Sequence, residues 1–150
     1  MSPSKRSAPG RAEPHLKEAV SAYREAMQEL TRARAPLEWA MTGMCLGNAL
    51  QALGVRDSGT VRLEDAVSTY REALQEFTRA RVPLRWATVQ MKLASVYCAL
   101  FDKGARPNHL DDALEAIDRA LEEYRKAKAY LYIEQAGCLR EQILGMNGKL

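Results

Sequence analysis

The sequence predicts an all-α fold in which about six helices stack as antiparallel helix pairs in a solenoid. A 22-residue stretch that begins at Ala19, AVSAYREAMQELTRARAPLEWA, returns 47 residues later at Ala66 as AVSTYREALQEFTRARVPLRWA, with five substitutions. Self-similarity at a fixed period of this length is typical of stacked repeats. Within each copy, apolar residues recur at three- and four-residue spacing, which indicates helix. A charged helical segment also alternates with a nearly uncharged one, which predicts two layers.

The charged segment comes first in each copy, over residues 16–34, 63–81 and 110–128. In the second copy Leu63, Val67 and Tyr70 belong to one apolar stripe, while Glu64 and Arg71 lie on the other face. An amphipathic helix of this kind buries one side and solvates the other. These three segments are therefore predicted to form the outer layer.

The nearly uncharged segment follows, over residues 39–53, 86–101 and 130–144. The first of these has no charged residue and the second has only Lys92, whereas the third regains Glu134, Arg140 and Glu141. A helix that is apolar or small all round is expected to be buried on most sides. These segments are predicted to form the inner layer, and the charges of the third suit a last helix whose far side meets water.

Length and composition predict one domain over residues 15–147, preceded by a disordered leader over residues 1–14. The net charge of +3 includes +2 from Lys5, Arg6 and Arg11 against Glu13, so the rest of the chain is near neutral and nucleic acid is an unexpected partner. Three cysteines without a Cys-x-x-Cys pair fit a reducing cytoplasm. No apolar run approaches the roughly 20 residues that span a bilayer, so no membrane association is expected.

The segments LGNALQALG (46–54) and LEDAVSTYREAL (63–74) resemble a tetratricopeptide repeat. A Leu-Gly pair marks the first helix of that family and a small–aromatic–small pattern, here Ala66, Tyr70 and Ala73, marks the second. The resemblance implies a right-handed superhelix with two complete pairs, 39–81 and 86–128, and a half-repeat at each end. The family period is 34 residues, so this chain resembles the expanded 47-residue repeats of bacterial proteins.

Catalysis is not expected from this sequence. His15 and His109 occupy equivalent repeat positions and no potential partner recurs beside them, so each is interpreted as a polar residue in the first turn of a helix. No Gly-rich phosphate loop, catalytic triad pattern or metal motif is present. The sequence therefore predicts neither an enzyme nor a cofactor.

The inner helices carry the candidate binding residues. At 100° per residue, Trp39, Gly43, Leu46, Gly47, Leu50 and Leu53 lie on the side that should pack against the outer helices. The opposite side, which the family resemblance places in a concave groove, comprises Met41, Met44, Cys45, Asn48, Gln51, Thr88, Met91, Lys92, Ser95 and Cys98. Methionine suits an adaptable apolar surface, and the amides and Ser95 offer hydrogen bonds to an extended backbone. The alternative is that these residues pack against neighbouring inner helices.

The predicted function is non-covalent binding of a peptide or helix of a partner protein in this Met-lined, nearly uncharged groove. The alternative function is structural self-association into a homo-oligomer, through the groove or through the first helix, which has no preceding inner helix. Both hypotheses depend on the same observation, an inner face with little charge.

Overall fold

The computed structural model describes residues 9–104 and 108–148, with side chains from Glu13 onward. It is all-α: six helices and no strand occur in these ranges. They are α1 (Pro9–Glu29), α2 (Pro36–Gly54), α3 (Val61–Ala73), α4 (Pro83–Asp102), α5 (Asn108–Lys126) and α6 (Tyr130–Asn147). No helix in the described part of the chain is long and apolar enough to cross a membrane.

Each helix packs against the next one along the chain, and the contacts of α2 with α3 and of α4 with α5 are the most extensive. The middle helix of the even-numbered set, α4, also touches α2 and α6. The predicted all-α class and the six helices are thereby confirmed.

These two extensive pairs supply most of the core. Tyr70, Phe77 and Tyr124 are its largest fully buried side chains. On α2 the side predicted to pack against the outer helices is buried from Gly43 to Leu53, and Trp39 is half-buried. The helical period therefore identified the core side of α2 correctly.

Gly47 marks a close contact between α2 and α3. A Cβ atom built on Gly47 would lie 2.5 Å from Cε1 and 2.7 Å from Cδ1 of Tyr70, whose ring is completely buried. The glycine is therefore required by the aromatic ring that covers it. The tyrosine hydroxyl passes the glycine and donates a hydrogen bond of 2.6 Å to Oδ1 of Asn48.

The charged helices end earlier than the sequence predicts. The predictions reached Arg34 and Arg81, whereas α1 ends at Glu29 and α3 at Ala73. The five residues before each helix-starting proline form a separate turn, closed by hydrogen bonds of 3.0 Å from Ala35 N to Thr31 O and from Val82 N to Thr78 O. A residue that precedes proline is disfavoured in the α conformation, so the charged helix cannot run directly into the next one.

The first helix starts earlier than predicted, at Pro9, so residues 9–14 of the predicted leader are helical. Proline is tolerated in the first turn of a helix because the N–H groups there have no intrahelical partner. Pro14 lies inside α1 all the same and leaves one helical carbonyl without its usual donor. Residues 1–8 of the predicted leader lie outside the described residues.

The α5–α6 connection is the shortest, and a Schellman motif closes it. Ala129 N donates to Tyr124 O at 3.0 Å and Lys128 N donates to Arg125 O at 3.1 Å. Lys128 occupies the left-handed position with φ of 54°, which glycine usually fills. This turn brings α6 back along α5, where Arg140 Nε donates to Asp118 Oδ1 at 2.7 Å.

One set of contacts recurs at the 47-residue period, and we call it the arginine clasp. Arg32 Nε donates to Glu76 Oε2 at 2.5 Å, and Nη1 donates to Gln75 Oε1 at 2.6 Å. The same guanidinium lies 5.6 Å from the ring centroid of Trp39. The clasp thus ties the turn between α1 and α2 to the end of α3.

The second clasp repeats this geometry one copy later. Arg79 Nε donates to Glu123 Oε2 and Nη2 to Glu122 Oε2, both at 2.6 Å. Its guanidinium lies 4.7 Å from the Trp86 ring. The duplicated joint TRAR-x-PL-x-W therefore has a structural role, since in both copies it holds consecutive charged helices together.

Candidate partner-binding face

The ten predicted groove residues lie on α2 and α4, and we call them the α2–α4 face. The structure brings several of them together. Met44 and Thr88 line one pocket, and Gln51 Nε2 donates to Ser95 Oγ at 2.8 Å. The two helices thus present these side chains as neighbours.

Burial varies along this face. Asn48 is exposed, whereas Met41, Met44, Cys45, Gln51, Thr88, Met91, Lys92 and Ser95 are half-buried. Cys98 is only 5% exposed and belongs to the core. Burial raises the pKa of its thiol to about 11, so the group is protonated and contributes packing rather than an accessible surface.

Part of the polar chemistry on this face is already used inside the protein. The Tyr70 hydroxyl, whose pKa burial raises above its usual value, donates to Asn48 and lies 3.3 Å from Gln51 Oε1. Gln51 in turn donates to Ser95. This row of hydrogen bonds ties α2, α3 and α4 together. Its amides are less available for a partner backbone than the sequence suggested.

Lys92 is the one charged residue among the ten. Its side chain is half-buried, and burial lowers the pKa of the ammonium below its usual value. A cation in such surroundings is poorly solvated. Lys92 therefore contributes a single, poorly solvated positive charge to the middle of the α2–α4 face.

Two apolar pockets open at the beginnings of α2 and α4. The first pocket, about 230 Å³, is lined by Leu37, Glu38, Met41, Phe77, Val82 and Arg85. The second pocket, about 350 Å³, is lined by Met44, Leu84, Arg85, Thr88, Tyr124 and Tyr132. Arg85 lines both, so the two pockets are adjacent.

The floor of the second pocket is aromatic. The rings of Tyr124 and Tyr132 stack with centroids 5.2 Å apart and planes 16° from parallel. The Tyr124 hydroxyl lies 2.9 Å from Thr88 Oγ1, and burial raises the pKa of that phenol. Two stacked rings, one of them with an internally bonded hydroxyl, offer apolar contact area at low cost in side-chain entropy.

Sequence reasoning missed Leu37, Leu84 and Arg85. The inner segments were predicted to begin at Trp39 and Trp86, three residues after the actual helix starts at Pro36 and Pro83. Leu37 and Leu84 follow those prolines directly and are 39% and 43% exposed. Proline at the first helical position was the signal that would have added this turn to the binding face.

The described residues include no candidate metal site. In residues 9–104 and 108–148, no group of three or more His, Cys, Asp or Glu side chains is arranged to hold a metal ion. His15 and His109, which sequence reasoning treated as helix-start residues, are exposed and half-buried respectively. His109 stacks on Tyr97 with the ring centroids 6.1 Å apart.

Comparison of the chain with family models, curated proteins and solved structures found no match. Its function is therefore inferred from the surface geometry and chemistry described above.

Proposed function

We propose that this chain is a tetratricopeptide-like, non-catalytic interaction module that binds a peptide or helix of a partner protein along the α2–α4 face. The observation that carries the proposal is the pair of adjacent apolar pockets with exposed leucines at their rims. Partner helices and peptides commonly anchor large apolar side chains in such depressions. Affinity would come from burial of apolar area, about 25 cal/mol per Å² before the costs of association.

The test is selection of binders from a random peptide library displayed on phage, against the wild-type chain and against Leu37→Glu and Met44→Glu. Each substitution places a carboxylate at one pocket and is expected to abolish enrichment, because burying an unpaired charge is costly. Circular dichroism checks that both variants keep their helicity.

The chain offers a matched control in Leu144→Glu. Leu144 is 39% exposed, as is Leu37, and it lines neither pocket. Enrichment should be unchanged in this variant. Equal loss in Leu144→Glu, or survival of binding in both pocket variants, contradicts the proposal.

Self-association is the second candidate function, and α1 favours it. Leu30 at the end of α1 is 41% exposed, whereas its repeat equivalent Phe77 is 1% exposed. Ala26 is exposed although its equivalent Ala73 is buried. An apolar flank of this kind suits contact with a second copy.

Light scattering during size-exclusion chromatography, over a roughly hundredfold range of protein concentration, separates the two functions. Self-association depends on concentration by mass action, so it would raise the measured mass across this range. A monomer mass throughout supports an open face for a foreign partner. A mass that rises with concentration moves the binding face to the subunit interface.

A further inference from the structure

Arg85 lies at the boundary between the two pockets. Among the described residues, its guanidinium contacts a thioether and an aromatic ring but no oxygen acceptor. Nη1 donates to the thioether sulfur of Met41 at 3.5 Å, and the guanidinium carbon lies 5.7 Å from the Phe77 ring centroid. A thioether is a weak acceptor, and a guanidinium carries five N–H donors. Among the described residues, no carboxylate forms an ion pair with Arg85.

The arginines of the two clasps have the oxygen acceptors that Arg85 lacks in the described part of the chain. Arg32 and Arg79 each direct two nitrogens at side-chain oxygens 2.5–2.6 Å away and also cover a tryptophan ring. Arg85 likewise covers an aromatic ring, but it has no oxygen acceptor among the described side chains. Its charge-assisted hydrogen-bonding capacity is therefore largely unused.

Comparison of the two copies of the repeat shows that the positive charge of Arg85 is present in only one of them. Arg85 is the equivalent of Glu38, and this pair is the only change of charge among the five differences in the 22-residue duplication. Glu38 lines only the first pocket, whereas Arg85 lines both pockets. At the boundary between the pockets, the second copy of the duplicated segment thus has a cation where the first copy has an anion.

We infer that the partner segment carries a side-chain carboxylate between two large apolar side chains, which occupy the two pockets while the carboxylate pairs with Arg85. The planar guanidinium favours bidentate pairing with a carboxylate. The flanking apolar groups would exclude water and strengthen that pair. This inference rests on the proposed function of the α2–α4 face and specifies the chemistry of its ligand.

The experiment extends the phage selection to Arg85→Glu. Peptides fused through their C-termini present no free terminal carboxylate, so any acidic preference must come from side chains. Wild type should enrich apolar–acidic–apolar sequences, and Arg85→Glu should replace the acidic residue with Lys or Arg. Arg34→Glu is the matched control, since Arg34 is exposed, lines neither pocket and changes the net charge equally.

A double-mutant cycle then measures the pair directly. One enriched peptide, amidated at its C-terminus, is compared with its Glu→Gln (or Asp→Asn) version on wild type and on Arg85→Gln. We expect about tenfold weaker binding of the neutral peptide to wild type, and a difference of less than about twofold on Arg85→Gln. A merely structural role of Arg85 would weaken both peptides equally.

The outcomes separate this inference from the proposed function. Enrichment without acidic preference, or the same acidic sequences on Arg85→Glu as on wild type, overturns the inference and leaves the binding face intact. Enrichment on wild type no greater than on both Leu37→Glu and Met44→Glu overturns the proposed function and the inference with it.

Discussion

At the residue scale, two helical glycines differ in the space around them. Gly47 faces the buried Tyr70 ring, and a Cβ there would lie 2.5 Å from a ring carbon. A Cβ atom built on Gly137 of α6 would meet nothing within 4 Å. Glycine in a helix costs about 0.5–1 kcal/mol relative to alanine, so only packing decides which one the fold requires.

We therefore expect Gly47→Ala to lower the free energy of unfolding by about 1–3 kcal/mol, because the new methyl group must displace a fully buried ring. Gly137→Ala should raise it by about 0.5–1 kcal/mol through helix propensity alone. Urea denaturation followed by circular dichroism measures both. A Gly47→Ala protein as stable as the wild type would show that α2 and α3 do not approach as described.

The Gly47–Tyr70 contact also marks a limit of sequence prediction. The helical period placed Gly47 on the side of α2 that packs against the charged helices, and the contact with Tyr70 of α3 confirms this. The sequence did not indicate that a tyrosine would pass over the glycine and reach Asn48, because a stripe of apolar residues does not specify which side chain crosses which helix.

At the scale of elements, the arginine clasp is the contact that the sequence concealed most completely. Carboxylates interleaved with arginines at helical spacing suggest ion pairs on the surface of single helices. The structure instead pairs Arg79 with Glu122 and Glu123, more than 40 residues away and in the next copy. Charged residues at helical spacing look alike whether they are solvated or bridge two helices, so the pattern alone cannot separate these cases.

Glu123 gives the clasp a dependence on pH. Its side chain is 9% exposed, being covered by Arg79 and Lys126 rather than embedded in the core. The hydrogen bond from Arg79 lowers the pKa of this carboxyl. A lowered pKa in the folded state stabilises the protein above the unfolded value of about 4.3, and that contribution is lost as the pH falls through the folded value.

We expect acidification from about pH 7 to pH 3 to destabilise the wild type more than Glu123→Gln, which has no carboxylate to protonate. Urea midpoints across this range measure the difference. Glu115→Gln is the control, because the Arg119–Glu115 pair is 53% and 59% exposed and contributes little. Parallel curves for wild type and Glu123→Gln would remove Glu123 from the pH response.

For the candidate site, the sequence indicates on which side of a helix a residue lies, but not how deeply that residue is buried. The helical period placed Met44 and Thr88 on the same side of their own helices, and only the family resemblance joined those sides in a groove. In the structure both residues line the second pocket. The helical period could not predict that Cys98 is buried, which depends on how closely α4 packs against its neighbours. Arg85 was missed because the helix start was placed one turn too late.

For the whole molecule, the duplication provides an internal comparison of tertiary context. Residues 19–26 of α1 and 66–73 of α3 differ only at Ala22 and Thr69. Tyr23 is half-buried and Ala26 exposed, whereas Tyr70 and Ala73 are 0% and 1% exposed. Nearly identical helices thus occupy unequal environments, because α3 packs closely on α2 from its apolar side.

We expect backbone amides of residues 19–26 to exchange with deuterium at least about tenfold faster than those of residues 66–73, since local opening is easiest where few apolar contacts are lost. Mass spectrometry of peptic fragments measures both segments in one experiment, and their matched sequences minimise differences in intrinsic rate. Equal protection would mean that the open flank of α1 is covered, which would favour self-association.

The clasp also bears on how such a chain can change its length. Each clasp joins two consecutive 47-residue units. The arginine and tryptophan come from the joint of one unit, and the acceptor pair comes from near the end of the charged helix of the next unit. An in-frame insertion of one more unit would bring both halves and leave every existing junction unchanged. At the third joint, Lys126 and Ile133 stand where arginine and tryptophan would be needed. New units are therefore accommodated between the existing copies more readily than after the last one.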